Sequence, residues 1–164
     1  MTVTLIVVVV LLVILALALV AIYNGLVKSR NRVDNSWSQI DVQLKRRYDL
    51  IPNLVETVKG YARQEQDTLT AVTEARAKAT SIQISADDLD DPQKMQQFQQ
   101  AQSQLTGALS RLMAVSERYP DLKSNQNFLA LQSQLEGTEN RIAVARRDFI
   151  AAVQRYNTEI RTFP

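Results

Sequence analysis

Cysteine and histidine are both absent from the 164 residues, and glycine and proline occur four times each. Without cysteine the chain forms no disulfide and carries no thiolate, which leaves the redox compartment undetermined. Without histidine it lacks the commonest general acid or base and the commonest metal ligand. The scarcity of glycine, proline and aromatic residues is typical of long helices rather than of sheets.

Charge is nearly balanced, with 19 basic and 17 acidic side chains and a net charge of +2. Such a balance gives no broad basic surface for nucleic acid, which we do not expect as a partner. The sequence also contains no Gly-rich phosphate loop, no G-x-S-x-G elbow and no metal-spaced cluster. We therefore expect no enzyme, no catalytic residue, no cofactor and no metal site.

A single long apolar run, from Val3 to Ile22, contains no charged residue. About twenty such residues suffice to cross the hydrocarbon core of a bilayer, and a helix satisfies its own backbone hydrogen bonds there. We predict a membrane anchor over residues 1–22, with Val3, Leu12 and Ile22 marking its length, and a helical domain over residues 23–164. A buried core helix is the alternative, but the rest of the chain has too little apolar bulk to enclose one.

A cleaved signal peptide is a further alternative, because Ala16-Leu17-Ala18 resembles a small-x-small cleavage site. The run, however, lacks a preceding basic region and exceeds the usual length of a signal peptide's apolar core. We therefore predict a retained, single-pass span. Its small residues Ala18, Ala21 and Gly25 fall on one side of a helix and permit close approach of a second membrane helix.

Basic residues follow the apolar run at once, and none precedes it. These juxtamembrane residues are Lys28, Arg30 and Arg32. An excess of positive charge beside a span belongs on the cytoplasmic side. We therefore predict a protein of the bacterial inner (plasma) membrane, with its N-terminus outside and its helical bundle in the cytoplasm.

Beyond the anchor, apolar residues recur at steps of three and four, which indicates an amphipathic helix. No cluster of Gly, Pro or Asn interrupts the stripe before Pro52, so the membrane helix is predicted to continue into the bundle and to end near Thr80. Pro52 either kinks or breaks it, and the unchanged phase on its two sides favours a kink. The predicted apolar stripe comprises Leu26, Val33, Trp37, Ile40, Leu44, Tyr48, Ile51, Val55, Val58, Ala62, Leu69, Val72 and Ala75.

Residues 81–91 do not follow this period, and they include four aspartates. A calcium loop is one interpretation, but the glycine and terminal glutamate of such a loop are missing. Asp91 as N-cap, with Pro92 in the first helical position, explains the segment better. A Gln-rich second helix follows, Pro120 stops it, and either Ser124 or Asn125 is predicted to cap the third helix. The second stripe comprises Met95, Phe98, Leu105, Leu109, Leu112 and Tyr119.

The third helix follows an almost strict 3.5-residue period, the pattern of left-handed coiled-coil packing, with Thr138 as a polar interruption. The predicted fold is therefore all-α: an N-terminal transmembrane helix continuous with an elongated antiparallel bundle of three long helices, or four segments if the chain breaks at Pro52. Such thin stripes favour a homo-oligomer in which protomers complete one another's burial. The third stripe comprises Phe128, Leu131, Leu135, Thr138, Ile142, Ala145, Phe149, Ala152, Tyr156, Ile160 and Phe163.

The basic triplet Lys45-Arg46-Arg47 has two interpretations. It could meet anionic lipid or nucleic acid, but it lies roughly 30 Å from the membrane along a perpendicular helix, well beyond a Debye length of about 8 Å. We predict that it forms the solvated face of the first helix.

Several polar strings resemble the bacterial LemA family over nearly the whole chain past the anchor. The most specific is QLKRRYDLIPNLV at residues 43–55, joined by YPDLK at 119–123, Thr138-Glu139-Asn140 and Tyr156-Asn157. The resemblance implies a single-pass membrane protein with an elongated helical bundle and no established enzymatic activity. Family members associated with bacterial organelle membranes imply a membrane-organising role. The family usually continues past the position of Phe163-Pro164.

These observations favour a membrane-anchored, non-catalytic scaffold that self-assembles and organises the bacterial membrane, with the lipid bilayer and further copies of the chain as partners. The alternative is an adaptor or regulator of another membrane protein, for instance an envelope protease or stress component. Five residues of the family-like strings lie beside or within the apolar stripes, where we expect them to fix helix register rather than to bind a ligand. They are Asp49, Pro52, Asn53, Glu139 and Asn140.

Overall fold

The computed structural model describes residues 2–162, and all of the regular structure in this range is helical. The predicted all-α fold is thereby confirmed, while Phe163, the last predicted stripe residue, lies outside the described residues. The segments are α1 (Thr2–Tyr61), α2 (Gln66–Ser81), a 3₁₀ segment (Ala86–Asp90), α3 (Pro92–Ser116), α4 (Pro120–Lys123) and α5 (Gln126–Arg161).

Helix α1 is a single helix of 60 residues that contains both the apolar run and Pro52. The predicted continuity between the membrane helix and the bundle is confirmed, and Pro52 does not break the helix. Pro52 lies on the exposed side of α1. An exposed position tolerates proline better than a packed one, because water or a neighbouring side chain can bond the carbonyl that the missing N–H leaves free.

The first helix ends at Tyr61 rather than near Thr80, so the prediction of one helix through this region is wrong at residues 62–65. The turn begins just after Gly60, a poor helix former. In it the Glu65 amide donates to the Ala62 carbonyl at 3.1 Å. Helix α2 then ends at Ser81, close to the predicted end.

The turn between α1 and α2 is fixed by side chains of the segment that follows α3. Glu65 pairs with Arg118 at 2.9 Å and accepts a hydrogen bond from the Tyr119 hydroxyl at 3.3 Å. The Asn125 side chain donates to the Tyr61 hydroxyl at 2.9 Å. Contacts of this kind join distant parts of the chain, so the position of the turn depends on tertiary structure as well as on local propensity.

The predicted helix caps are largely confirmed. The Asp91 carboxylate accepts from the backbone amides of Gln93 and Lys94 at 2.9 and 3.2 Å, with Pro92 in the first turn. Of the two candidates for the third helix, Asn125 is the cap, because its side-chain oxygen accepts from the Phe128 amide at 3.0 Å. The starts of α3 and α5 therefore satisfy part of their free N–H groups locally.

The chain divides into two compact units. The terminal unit contains the residues up to Gln39 together with those from Ala145 onward, and the central unit contains Ile40–Val144. Helices α1 and α5 each contribute to both units, whereas α2, α3 and α4 belong to the central unit alone.

In the central unit, α1, α2, α3 and α5 enclose one apolar core. Leu105, Leu112 and Leu122 are fully buried in it, and Phe128 of α5 is 1% exposed. The α1 side of this core differs from the predicted stripe, because Arg47 and Leu54 are buried while Tyr48 and Val55 are only half-buried. The buried α1 residues of this unit are Ile40, Leu44, Arg47, Ile51, Leu54 and Val58.

In the terminal unit, α1 and α5 pack antiparallel. The rings of Trp37 and Phe149 meet edge to face with centroids 5.5 Å apart, and Ser29 faces Glu159 further along the pair. Ala152 is buried between these levels, as the stripe predicts. Ile160 is 50% exposed, so the predicted seam does not extend to this residue.

Candidate functional site

A buried arginine forms the centre of the principal polar cluster in the central unit. The Arg47 side chain is 2% exposed and its Nε lies 2.8 Å from Oε1 of Glu139 on α5. Its guanidinium also donates to the Thr106 hydroxyl at 2.7 Å and to the Gln102 side-chain oxygen at 3.4 Å, both on α3. Gln102 in turn donates to the Tyr48 hydroxyl. One α1 side chain thus connects α3 and α5.

This arrangement corrects the prediction for the basic triplet. Lys45 and Arg46 are exposed, as a solvated face requires, and the hydrogen bond and charge of Asp41, 2.7 Å from Lys45, raise the pKa of Lys45. Arg47 instead points into the core. The spacing in the sequence is consistent with burial of Arg47. The buried positions of α1 follow one another at alternating steps of four and three, at residues 40, 44, 47, 51, 54 and 58. An arginine in such a series is more easily assigned to the surface, because buried charges are rare unless paired.

A groove of about 370 Å³ opens beside this cluster, between α3 and α5. Its apolar wall includes Leu109, Met113 and Leu135, and Glu136 and Glu139 lie on its α5 side. The Gln132 side chain donates to Glu136 at 3.0 Å. The groove therefore combines an apolar floor with an acidic rim, and the buried Arg47 charge is already matched by Glu139.

The contacts of this cluster give it a structural role, because they hold α1, α3 and α5 together. An arginine guanidinium stays protonated at all accessible pH values, so Arg47 cannot exchange protons as an acid or base. Its counter-charge and hydrogen-bond acceptors come from within the unit. Among the residues that the structure describes, no group of three or more acidic side chains is placed to hold a metal ion.

A second polar contact explains how Pro52 fits within α1. Proline has no N–H, so the carbonyl four residues earlier, that of Tyr48, lacks its usual helical donor. The Arg76 side chain of α2 donates to this carbonyl oxygen at 2.7 Å. Arg76 therefore replaces the missing backbone bond and joins α2 to α1 at the proline.

We expect Arg76 and Pro52 to be energetically coupled. Arg76→Met should lower the free energy of unfolding by about 1.5–3 kcal/mol, as for the loss of a charged hydrogen bond to a partly buried carbonyl. In a Pro52→Ala background the amide of residue 52 can bond the Tyr48 carbonyl. The loss of unfolding free energy caused by Arg76→Met should therefore be smaller by at least about 1 kcal/mol. Urea unfolding of the four proteins, followed by far-UV circular dichroism, measures this difference. Equal costs in both backgrounds would show that Arg76 does not replace the bond.

The other residues singled out in the family-like strings lie mostly on the surface. Asp49, Pro52, Asn53 and Asn140 are exposed, and only Glu139 joins the Arg47 cluster. Thr138, beside Glu139, is 1% exposed and donates to the Gln134 carbonyl at 2.8 Å. The polar seam position is therefore buried and satisfied within its own helix.

The acidic segment before α3 forms its own local network. The Asp88 carboxylate accepts from the Ser85 amide at 2.9 Å and from the Ser85 hydroxyl at 2.7 Å, and it pairs with Lys94. The hydrogen bond from Lys94, followed by those from Ser85, holds the pKa of Asp88 well below its usual range. These contacts, with the Asp91 cap, give two of the four aspartates a structural role.

The apolar run lies entirely exposed on α1. Val3 and Leu12 are 72% and 59% exposed, and the most apolar window has a mean hydropathy of 3.7 with none of it buried. The helix is thus long and apolar enough to cross a membrane. Ala18, Ala21 and Gly25 are also exposed, and a Cβ added at Gly25 would meet no atom within 4 Å. The face predicted to contact another membrane helix is open in this chain.

The juxtamembrane basic residues differ in their surroundings. Arg30 lies 3.4 Å from Asp34 one turn later. Lys28 and Arg32 are exposed and line a polar groove of about 490 Å³ along α1 together with Asn24 and Asn31. On α5, hydrogen bonds from Ser29 and Arg155 and the charges of Arg155 and Arg32 lower the pKa of Glu159.

Comparison with curated proteins gives relatives of two kinds. The chain is 26% identical over 140 residues to Protein LemA of Metamycoplasma hominis, an alignment that covers 85% of this chain and 60% of the relative. It is 28% identical over 158 residues to Magnetosome protein MamQ 2 of Paramagnetospirillum magneticum and 26% identical to Magnetosome protein MamQ of Magnetospirillum gryphiswaldense, each alignment covering 87% of this chain and 58% of the relative.

The chain therefore spans about 60% of the length of the curated relatives that it matches. None of their names denotes an enzymatic activity. The LemA family model matches residues 36–164, which include most of α1 beyond the apolar run, the Arg47 cluster and the whole of α2 to α5. On the strength of this match, the protein belongs to the LemA family.

Proposed function

We propose that this protein is a membrane-anchored, non-catalytic scaffold that assembles into a homo-oligomer and organises the bacterial membrane. The observation that carries the proposal is the single helix α1, which contains an exposed apolar run long enough to cross a bilayer and then supplies one wall of the bundle core. A bundle built on its own anchor stays at the membrane. Relatives named magnetosome proteins are consistent with a role at such a surface.

The open side of the span supports self-assembly. Small residues allow membrane helices to approach closely and to gain van der Waals contact that lipid does not replace. Ala18, Ala21 and Gly25 provide such a face, and no part of the described chain covers it. A second copy of α1 fits this face because it brings the same small residues.

Native mass spectrometry of the full chain, released from lipid nanodiscs, tests this proposal. We expect oligomers from the unmodified chain and a shift toward monomer for Ala21→Leu with Gly25→Leu, which fill the close-approach face. Val9→Leu with Val13→Leu is the matched control, because it adds bulk at the same spacing on another side of the span. Detection of monomer alone at every protein-to-lipid ratio would overturn the proposal of a homo-oligomeric scaffold.

We also propose a single pass through the bacterial inner membrane with the N-terminus outside and the bundle in the cytoplasm. The exposed Lys28 and Arg32 directly after the span support this orientation. A cysteine introduced at Gln100, an exposed position of α3, should react with membrane-impermeant maleimide only after the cells are opened. Labelling of this cysteine in intact cells would show that the bundle lies outside the cytoplasm.

An adaptor or regulator of another membrane protein is the second candidate, and the groove between α3 and α5 favours it. Its apolar floor beside Glu136 and Glu139 is suited to a helix with one apolar face and a basic residue. In-cell crosslinking separates the two functions, since a scaffold yields mainly crosslinks between copies of itself. A dominant crosslink from this groove to a different membrane protein would favour the adaptor.

A further inference from the structure

We propose that the membrane end of the terminal unit binds the headgroups of anionic phospholipids. Lys28 and Arg32 of α1 and Arg161 at the end of α5 form what we call the headgroup face, and Ile160 lies next to Arg161. This inference rests on the proposed membrane anchorage but not on self-assembly, because a monomer presents the same residues.

Position along α1 places its two cations near the lipid headgroups. The apolar run ends at Ile22, so Lys28 lies about 9 Å and Arg32 about 15 Å further along the helix axis. The headgroup layer extends roughly 5–8 Å beyond each side of the hydrocarbon core. Long basic side chains direct their charged ends back toward this layer. The distance that remains is no longer than a Debye length of about 8 Å, so the charges still attract anionic headgroups.

Helix α5 runs antiparallel to α1 and brings Arg161 close to the level at which the apolar run of α1 ends. Trp37 and Phe149 fix the register of the antiparallel pair, with ring centroids 5.5 Å apart. Arg161 lies twelve residues beyond Phe149, about 18 Å along α5, and twelve residues back from Trp37 on α1 is Gly25. The contact between Ser29 and Glu159 gives nearly the same register. Arg161 therefore lies within about one helical turn of the end of the apolar run.

The charges of this region leave the headgroup face positive. Its nearby carboxylates are fewer than its cations, since Glu159 lies 3.0 Å from Arg155 and also faces the charge of Arg32, and Asp34 lies 3.4 Å from Arg30. Lys28, Arg32 and Arg161 remain exposed. The side-chain amides of Asn24, Asn31 and Asn35 line the groove beside Lys28 and can donate hydrogen bonds to phosphate oxygens.

Exposed apolar residues at this level point to lipid rather than to a soluble anion. Ile160 occupies a seam position in the α5 heptads, yet it is 50% exposed, and Tyr23, one residue past the apolar run, is 68% exposed. A tyrosine at this depth is typical of the membrane–water interface. Ile160, next to Arg161, can bury its side chain in the interfacial layer of the bilayer, which a soluble phosphate would not offer.

The test uses the full chain in nanodiscs of phosphatidylcholine containing a minor fraction of phosphatidylglycerol, with the two lipids counted by native mass spectrometry after release. We expect phosphatidylglycerol to be enriched around the unmodified chain by roughly tenfold or more, since each cation near an anionic surface contributes up to about fivefold. The triple variant Lys28→Gln, Arg32→Gln, Arg161→Gln should reduce the enrichment nearly to that of a neutral protein.

The matched control is the triple variant Arg46→Gln, Arg63→Gln, Lys78→Gln, which removes the same charge from exposed positions of the central unit. It should retain the enrichment. The single variant Lys28→Gln, on an exposed position of a continuous helix, should show a partial loss even if the triple variant folds poorly. Millimolar sn-glycerol 3-phosphate should not displace the bound lipid.

Three results would overturn the proposal: no enrichment around the unmodified chain, full enrichment around the headgroup-face variants, or equal loss in the control. Displacement by sn-glycerol 3-phosphate would show that the face takes soluble phosphates instead. The failure of self-assembly would leave these outcomes unchanged, because lipid counts are read for each protomer.

Discussion

Glu139→Leu should destabilise the protein by about 3–5 kcal/mol, since it removes the carboxylate that lies beside the buried Arg47 charge. The Arg47 side chain is 2% exposed and lies 2.8 Å from Glu139. Arginine cannot lose its proton to relieve this cost. Thr106 and Gln102 would remain as acceptors, but neither carries a negative charge.

Arg47→Met should cost less, about 1–2 kcal/mol, although it alters the more buried partner. The Glu139 side chain is 39% exposed and can regain water when the arginine is lost. Thr106 still donates to the Gln102 carbonyl at 3.0 Å, and Gln102 still bonds the Tyr48 hydroxyl. The remaining loss is the desolvation of acceptors that no longer receive the guanidinium bonds.

The double variant Arg47→Met, Glu139→Leu should be more stable than Glu139→Leu alone, because an apolar pair of similar volume often replaces a buried ion pair at little cost. Urea unfolding followed by far-UV circular dichroism gives all three values. Asn140→Leu is the matched control, since it adds the same side chain at the next, exposed position of α5. A larger effect for Arg47→Met than for Glu139→Leu would contradict the asymmetry.

Helical periodicity predicted the fold class and most of the core because each long helix has one apolar side. Trp37, Leu44 and Ile51 of α1 and Phe128 and Ile142 of α5 are buried as expected. The continuity of α1 followed from the absence of a Gly, Pro or Asn cluster before Pro52. These features depend on local sequence and on the period of the helix, so the sequence alone was sufficient.

The features that the sequence did not predict depend on contacts between distant residues. The break after Tyr61 is not evident from the sequence, because Leu69 and Val72 of α2 resume three-and-four steps and the apolar pattern continues across the turn. In α3 the buried positions include Ala101, Ala108 and Gln102, which are too small or too polar for a hydrophobic pattern to identify. The Gln-rich helix is therefore better packed than its sequence indicates.

The polar cluster was the least predictable part of the site. The family-like strings include Glu139, but the sequence predicts a solvated position for its partner Arg47 and gives no sign of the contact that Arg76 makes. Both arginines satisfy groups on other helices, so only the folded arrangement explains their placement. A charged residue at a heptad position, as at Arg47, is the one local sign of such a contact.

Lysines placed within the apolar run should release the protein from the membrane once their summed cost exceeds the insertion free energy of the run. Leucine, isoleucine and valine each favour insertion by about 0.3–0.6 kcal/mol, whereas one central lysine costs about 2.5–3.5 kcal/mol. Over the run the apolar residues contribute roughly 5–10 kcal/mol. Leu12→Lys alone should therefore leave most of the protein inserted, while Val9→Lys, Leu12→Lys, Leu15→Lys should release nearly all of it.

Carbonate extraction of membranes, with the bundle detected in pellet and supernatant, measures this partition. The variant Val9→Ala, Leu12→Ala, Leu15→Ala is the matched control, because it removes the same apolar bulk without adding charge and should stay in the pellet. These positions are exposed on α1 and make no contribution to the core, so the released protein should keep its helical circular dichroism. Retention of the triple lysine variant would mean that contacts other than the apolar run hold the bundle at the membrane. Release of the alanine variant would mean that the loss of apolar contact, rather than the added charge, causes the release.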